Sequence, residues 1–228
     1  HAKALVIKSG ESAVAIVTLD LGRVLIPSLL DDIRARAKSA GINHVMFTAS
    51  HTHQAPPVDI DADYTRKMAE QIGDCILAAQ KNLKPAKLGV GRTEFNISSN
   101  RRKILSNGQC MMVWRNDQQL PVGPNDQEAG LIRIDSNDGE AIAVLVNFAC
   151  HPVVLAGDNT NYSADWVGEM NNVIEASTGA VSLFMQGGSG DINPYLDKTP
   201  IDDGGVEAMR AVGRSAGNAV VAALPGIN

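Results

Sequence analysis

The sequence predicts an α/β protein: a single domain with a mixed β-sheet core that contains hairpins and is covered by helices. Three observations carry this expectation. Runs of β-branched residues meet across short polar turns, which gives antiparallel pairs. Other strand-like runs are separated by amphipathic helical segments, which gives parallel ones. A chain of 228 residues, 44% apolar and 20% charged, is also long enough to bury one sizeable core.

The elements follow in order. Ala4–Ile7 and Val14–Leu19 flank Ser9-Gly10-Glu11-Ser12 and read as a hairpin. Pro27–Ala40 carries Leu29, Leu30, Ile33 and Ala37 at helical spacing, with Pro27 suited to a first turn. His44–Thr48 reads as a strand, and Asp63–Leu83 as a helix with Met68, Ile72, Cys75, Ile76 and Ala79 on one face. Lys87–Glu94 and Met111–Arg115 are expected to be strands. Leu131–Asp135 and Ala141–Asn147 form a second hairpin around Ser136-Asn137-Asp138-Gly139. Trp166–Ala176 and Val206–Leu224 are expected helices around the strand Ala180–Met185. No repeat, low-complexity tract or linker interrupts the pattern.

The chain opens at His1 inside what reads as a strand, so residues upstream are expected to be missing. At the other end, a helix stopped by Pro225-Gly226 suits either a fold that closes there or one that continues.

Composition excludes several classes. No window approaches the roughly 18 to 20 apolar residues of a transmembrane helix. A net charge of −5, with basic residues scattered apart from Arg101-Arg102-Lys103, argues against nucleic acid as a partner. Three cysteines without CxxC spacing favour neither a disulfide framework nor a cysteine zinc site, and Cys150 reads as a buried small residue.

The chemistry concentrates where apolar runs end. Ser50-His51-Thr52-His53 follows the strand at His44, Cys150-His151-Pro152 follows Ala141–Ala149, and Gln186-Gly187-Gly188-Ser189-Gly190-Asp191-Ile192-Asn193-Pro194 follows Ala180–Met185. Strand ends of this kind are where α/β enzymes place their sites. In an extended segment His51 and His53 share a face, so both can serve one site. His151 is expected to supply a second imidazole from a neighbouring strand, and neutral imidazoles suit zinc. His44 lacks a polar cluster and reads as structural, and His1 receives no role. Asp20, Asp165 and Asp191 could each ligate metal, orient an imidazole, act as a base, or simply cap a helix or turn. The Gln186–Gly190 backbone could form an anion-binding nest, although no P-loop lysine follows.

Together Ser50-His51-Thr52-His53, Asn100-Arg101, Asn147-Phe148-Ala149-Cys150-His151-Pro152 and Gln186 to Pro194 resemble, in order and spacing, the amino-terminal catalytic domain of the neutral/alkaline, non-lysosomal ceramidases. The resemblance spans most of the chain. It implies a zinc-dependent amidohydrolase acting on an N-acyl, lipid-like substrate in sphingolipid metabolism, in a secreted or periplasmic setting. It also implies that His51 and His151 ligate Zn2+, that His53 holds the attacking water or the polarised carbonyl, and that Arg101 meets the acyl carbonyl or product carboxylate.

The family's further zinc ligands, a Glu and a Tyr, fall beyond Asn228. Where ceramidases carry Ser in Gly-Asp-Val-Ser-Pro, this chain has Asn193. Asn193 can donate to an oxyanion but cannot form an acyl-enzyme. The expected catalytic set is therefore His53, Arg101, Asp191 and Asn193, with Gly187, Gly188, Gly190 and Arg101 binding substrate. An ester hydrolase on the same zinc, a two-metal phosphatase and a catalytically inactive ligand-binding domain are the other readings of these residues.

Overall fold

The computed structural model describes residues 1–227. Its strands and helices are β1 (Ala2–Ser9), β2 (Ser12–Leu19), α1 (Pro27–Ser39), β3 (His44–Ala49), α2 (Asp63–Lys81), β4 (Ala86–Glu94), β5 (Ser98–Asn100), β6 (Arg102–Ile104), β7 (Cys110–Met112), β8 (Glu128–Ser136), β9 (Ala141–Phe148), α3 (Trp166–Thr178), β10 (Val181–Gln186), β11 (Ile192–Pro194) and α4 (Gly205–Ala223). No helix among them is long and apolar enough to cross a membrane.

The strands form two main sheets, not one. The first has the order β1-β2-β3 and the second β10-β9-β8-β4. Both expected hairpins are present, β1 against β2 and β8 against β9. Both helical crossovers give parallel pairs, β2 with β3 through α1 and β9 with β10 through α3. Two short ribbons, β5 with β11 and β6 with β7, complete the pairing.

Period-two alternation assigns each strand face to a layer. Ala15, Val17 and Leu19 of β2 pack with Leu29, Leu30 and Ile33 of α1 and Ile72 and Ile76 of α2. Val144, Val146 and Phe148 of β9 pack with Met170 and Ile174 of α3 and Val220 of α4. The opposite faces meet each other: Leu5, Ile7 and Ile16 of the first sheet against Ile134, Leu145 and Leu183 of the second. The result is a four-layer helix–sheet–sheet–helix sandwich. Glycines allow the two outer helices of the second half to touch. A Cβ at Gly213 would lie 2.6 Å from the Trp166 carbonyl oxygen, and one at Gly217 2.7 Å from Val173 Cβ.

Most predicted elements match within a few residues. The strand expected over Met111–Arg115 ends at Met112, past which Val113 donates to the Arg101 carbonyl and Asn116 to the Tyr195 carbonyl. The short strands β5, β6 and β11 lack an apolar run, so their sequences carry no periodic signal.

Candidate metal centre

The C-terminal ends of β3, β9 and β10 point to one edge of the sandwich, and the three polar motifs meet there. The ring centroids of His51 and His151 are 5.0 Å apart, those of His51 and His53 5.2 Å, and those of His53 and His151 5.7 Å. One ligating nitrogen from each ring lies within 4.8 Å of the others.

Two expectations about how they meet need correction. His51 is not extended. Its φ is 69°, in the left-handed region, so the rings of His51 and His53 converge through a turn and not through a shared strand face. His151 comes not from a neighbouring strand but from the opposite sheet, because β3 and β9 belong to different sheets. The imidazoles are joined by sheet packing.

Main-chain carbonyls fix two of the rings. His51 Nδ1 lies 2.6 Å from the Gly22 carbonyl oxygen, and His151 Nδ1 3.1 Å from that of Ile192. A carbonyl only accepts, so each Nδ1 is a donor, and in the neutral ring that tautomer leaves the lone pair on Nε2. Burial lowers the pKa of His151, although its carbonyl contacts work against the shift. Burial, then the neighbouring His51 and His151, lowers that of His53 to about 4, and Lys198 and Arg101 push the same way. Neutral imidazoles with directed lone pairs are the donor chemistry that zinc takes, so the residues fit that metal.

The acids do not join them. Asp20 pairs with the amine of His1, and Asp191 accepts from Asn100 Nδ2 at 3.1 Å. Asp165 is 1% exposed and caps α3, accepting from Trp166 N as well as from Val154 N and Leu155 N. Among the described residues the clustered donors are the three histidines alone. Cys150 is fully buried, and desolvation pushes its thiol well above the ordinary range, which removes it as a nucleophile.

The ribbon β5–β11 brings Arg101 to the site. Its guanidinium donates to the Gly190 carbonyl at 2.9 Å and to Asn193 Oδ1 at 3.2 Å. Asn193 is 2% exposed, and its amide nitrogen donates to Asp197 at 2.7 Å, so it links Arg101 to a buried carboxylate. In the Gly-rich turn none of Gly187, Gly188 and Gly190 is left-handed, so the alternating-handed nest does not form. Gly187 serves close approach instead, since a Cβ there would meet Ala149 atoms at 3.1 Å. Its N–H is taken by the Phe148 carbonyl.

Several supporting residues escaped the sequence reading. The Gln186 side chain donates to the Ser50 and Cys150 carbonyls at 2.7 and 2.9 Å and accepts from Cys150 N. Buried Trp166 donates its indole N–H to the His151 carbonyl at 3.1 Å. Thr52 donates to the Ser163 carbonyl at 2.7 Å, pinning the first histidine loop to the second. Lys198 sits at the rim with Trp114. Thr52 and Gln186 lie inside the motifs and Lys198 just past one, but residue type alone does not show which partners they reach.

No family model and no curated protein matches the chain. Solved structures do. The chain is similar to neutral ceramidase from Pseudomonas aeruginosa, with a TM-score of 0.75 and 23% identity over 96% of this chain. It is likewise similar to a ceramidase complexed with C2, with a TM-score of 0.76 and 23% identity over 96% of this chain. It spans 38% and 37% of those chains, respectively. The ceramidase-like fold expected from the motifs is thus the fold observed.

Proposed function

We propose that this chain is the histidine-bearing part of a zinc-dependent amidohydrolase that cleaves N-acyl amides by attack of water. The observation that carries this reading is the convergence of His51 and His151 from two sheets, each with Nδ1 tied to a carbonyl and Nε2 left to a metal. The shared fold with ceramidase structures supports the amide as the bond cleaved.

In this reading His51 and His151 hold the zinc. A zinc ion bound there supplies a Lewis acid for the scissile carbonyl and lowers the pKa of a water from about 16 toward about 7. His53 has the same neutral imidazole but no carbonyl anchor, so it accepts a hydrogen bond from the attacking water and orients it. Arg101 places positive charge where the carbonyl oxygen becomes negative, since two of its five N–H groups are committed to Gly190 and Asn193 and hold the fork in place. The Gly187, Gly188 and Gly190 backbone lines the acyl side of the same turn. Asn193 acts on Arg101 as a positioning residue, and Asp191 holds the turn through Asn100. No acid joins the histidines among the described residues, which disfavours the two-metal phosphatase.

Elemental analysis of purified wild type beside His51→Ala and His151→Ala tests the site, with hydrolysis of N-acyl amides and matched esters testing the bond. Near one zinc per chain, lost in both variants, together with amide cleavage, is the expected result. A folded wild-type chain that binds no added zinc would overturn it.

A further inference from the structure

Beside the histidines, five side chains close a ring. Arg101 donates to Asn193, Asn193 to Asp197, and Asp197 pairs with the Lys198 ammonium at 2.9 Å. Lys198 Nζ lies 4.1 Å from the Trp114 ring centroid, and the Arg101 guanidinium carbon lies 4.9 Å from the same centroid. Trp114 is delivered by the chain leaving the β6–β7 hairpin and stays 45% exposed. The Lys198 side chain is 47% exposed, whereas that of Asp197 is 0%.

The charges in this ring do not balance. The ring holds two cations and one carboxylate: buried Asp197 pairs directly with Lys198 and is linked to Arg101 only through Asn193. Asp191, two residues before Asn193, turns instead to Asn100 and Arg102. The histidines add no negative charge. Lys198 is also held at φ 53°, a conformation unfavourable for a side chain of its kind, and its ammonium is fixed by Asp197 and the indole face. The exposed side of the ring is therefore a preorganised cationic surface at the edge of the reacting centre, suited to a ligand anion.

We propose that Lys198, braced by Trp114 and Asp197, selects substrates bearing a carboxylate, so that the natural substrate class is an N-acyl amide with an anionic group, such as an N-acyl amino acid, and not a neutral N-acyl lipid. This rests on the reading of His51 and His151 as the reacting centre. Lys198 is a specificity-determining residue in it.

The test is binding, read independently of hydrolysis through Trp114 fluorescence, with buried Trp166 as a constant background. N-acetylglycine and the neutral N-acetylglycinamide are titrated into the wild type, Lys198→Asn and Lys198→Arg, each checked for folding by circular dichroism. Asn tolerates the left-handed backbone, so the variant removes the charge without adding strain. The wild type is expected to prefer the carboxylate by about tenfold, Lys198→Asn to bring the two probes within about twofold, and Lys198→Arg to restore the preference. Equal binding of both probes by the wild type overturns the proposal. So does a preference that survives in Lys198→Asn, because a carboxylate drawn to a metal or to Arg101 alone would bind that variant as well. Loss of the hydrolase reading would show separately, as absent zinc, and would leave this comparison intact.

Discussion

The side-chain amide of Gln186 donates to the main-chain carbonyl of Ser50 at 2.7 Å, from the last residue of β10 in one sheet to the first residue beyond β3 in the other. The same amide closes on Cys150 in both directions, at 2.9 and 3.2 Å. Ser50 precedes His51 and Cys150 precedes His151, so one glutamine sets the spacing of two imidazoles carried by different sheets.

Gln186→Ala removes three hydrogen bonds and leaves main-chain groups of Ser50 and Cys150 unpaired at the sheet boundary. A loss of about 3 kcal/mol in stability is expected, together with weaker zinc binding. Urea denaturation and a zinc titration measure both. A destabilisation near that of an ordinary surface substitution, with unchanged zinc affinity, would show that packing alone sets the spacing.

His53→Ala separates the roles within the triad. It is expected to keep zinc and lose activity by about 100-fold or more, whereas His51→Ala loses both. Loss of metal in His53→Ala would make His53 a ligand and remove its assigned part in orienting water.

Arg101 and Asn193 should act as a unit. Because Asn193 works through Arg101, Arg101→Ala alone is expected to cost about 100-fold in kcat, and adding Asn193→Ala should cost little more. Multiplicative losses in the double variant would instead give Asn193 its own contact with the reacting atoms.

The exposed His53 and the buried Asp165 oppose each other in acid. His53 has a folded pKa of about 4, below its ordinary 6.5, so the unfolded chain binds more protons in that window and stability falls as pH drops from 6.5 toward 4. Burial raises Asp165 to about 6 from 3.8, so the folded chain binds more protons there and stability falls as pH rises from 3.8 toward 6. In zinc-free protein the two slopes offset. Asp165→Asn should steepen acid destabilisation between pH 6.5 and 4, and His53→Gln should flatten or reverse it, as read by denaturation midpoints across pH. Parallel curves for wild type and both variants would mean that neither group titrates differently on folding.

The backbone at His51 offers a comparison free of side-chain chemistry. At φ 69° a Cβ is disfavoured, so His51→Gly is expected to be more stable than His51→Ala by about 1 kcal/mol, although neither binds zinc. Thermal or urea unfolding of the pair decides it, and an Ala variant at least as stable as Gly would mean that the turn relaxes once the imidazole is gone.

By itself the sequence determined what is local. Apolar periodicity placed the two hairpins, α1 to α4 and the long strands, and residue type marked His51, His53 and His151 at strand ends, because alternation, helical spacing and turn chemistry act over a few residues. Only the tertiary structure decided what depends on distant contacts. It split the strands into two packed sheets, since both faces of β2 and β9 are apolar and each needed a partner layer. It brought His151 to His51 across that packing, with Gln186 as the link. It turned Asp165 into a cap, and it placed Arg101 and Lys198 over the one Trp114 ring through ribbons too short and polar to leave a periodic trace. Geometry at a site assembled from positions 51, 101, 151 and 198 is set by long-range packing, and packing is written in volumes and unpaired hydrogen bonds, not in any short motif.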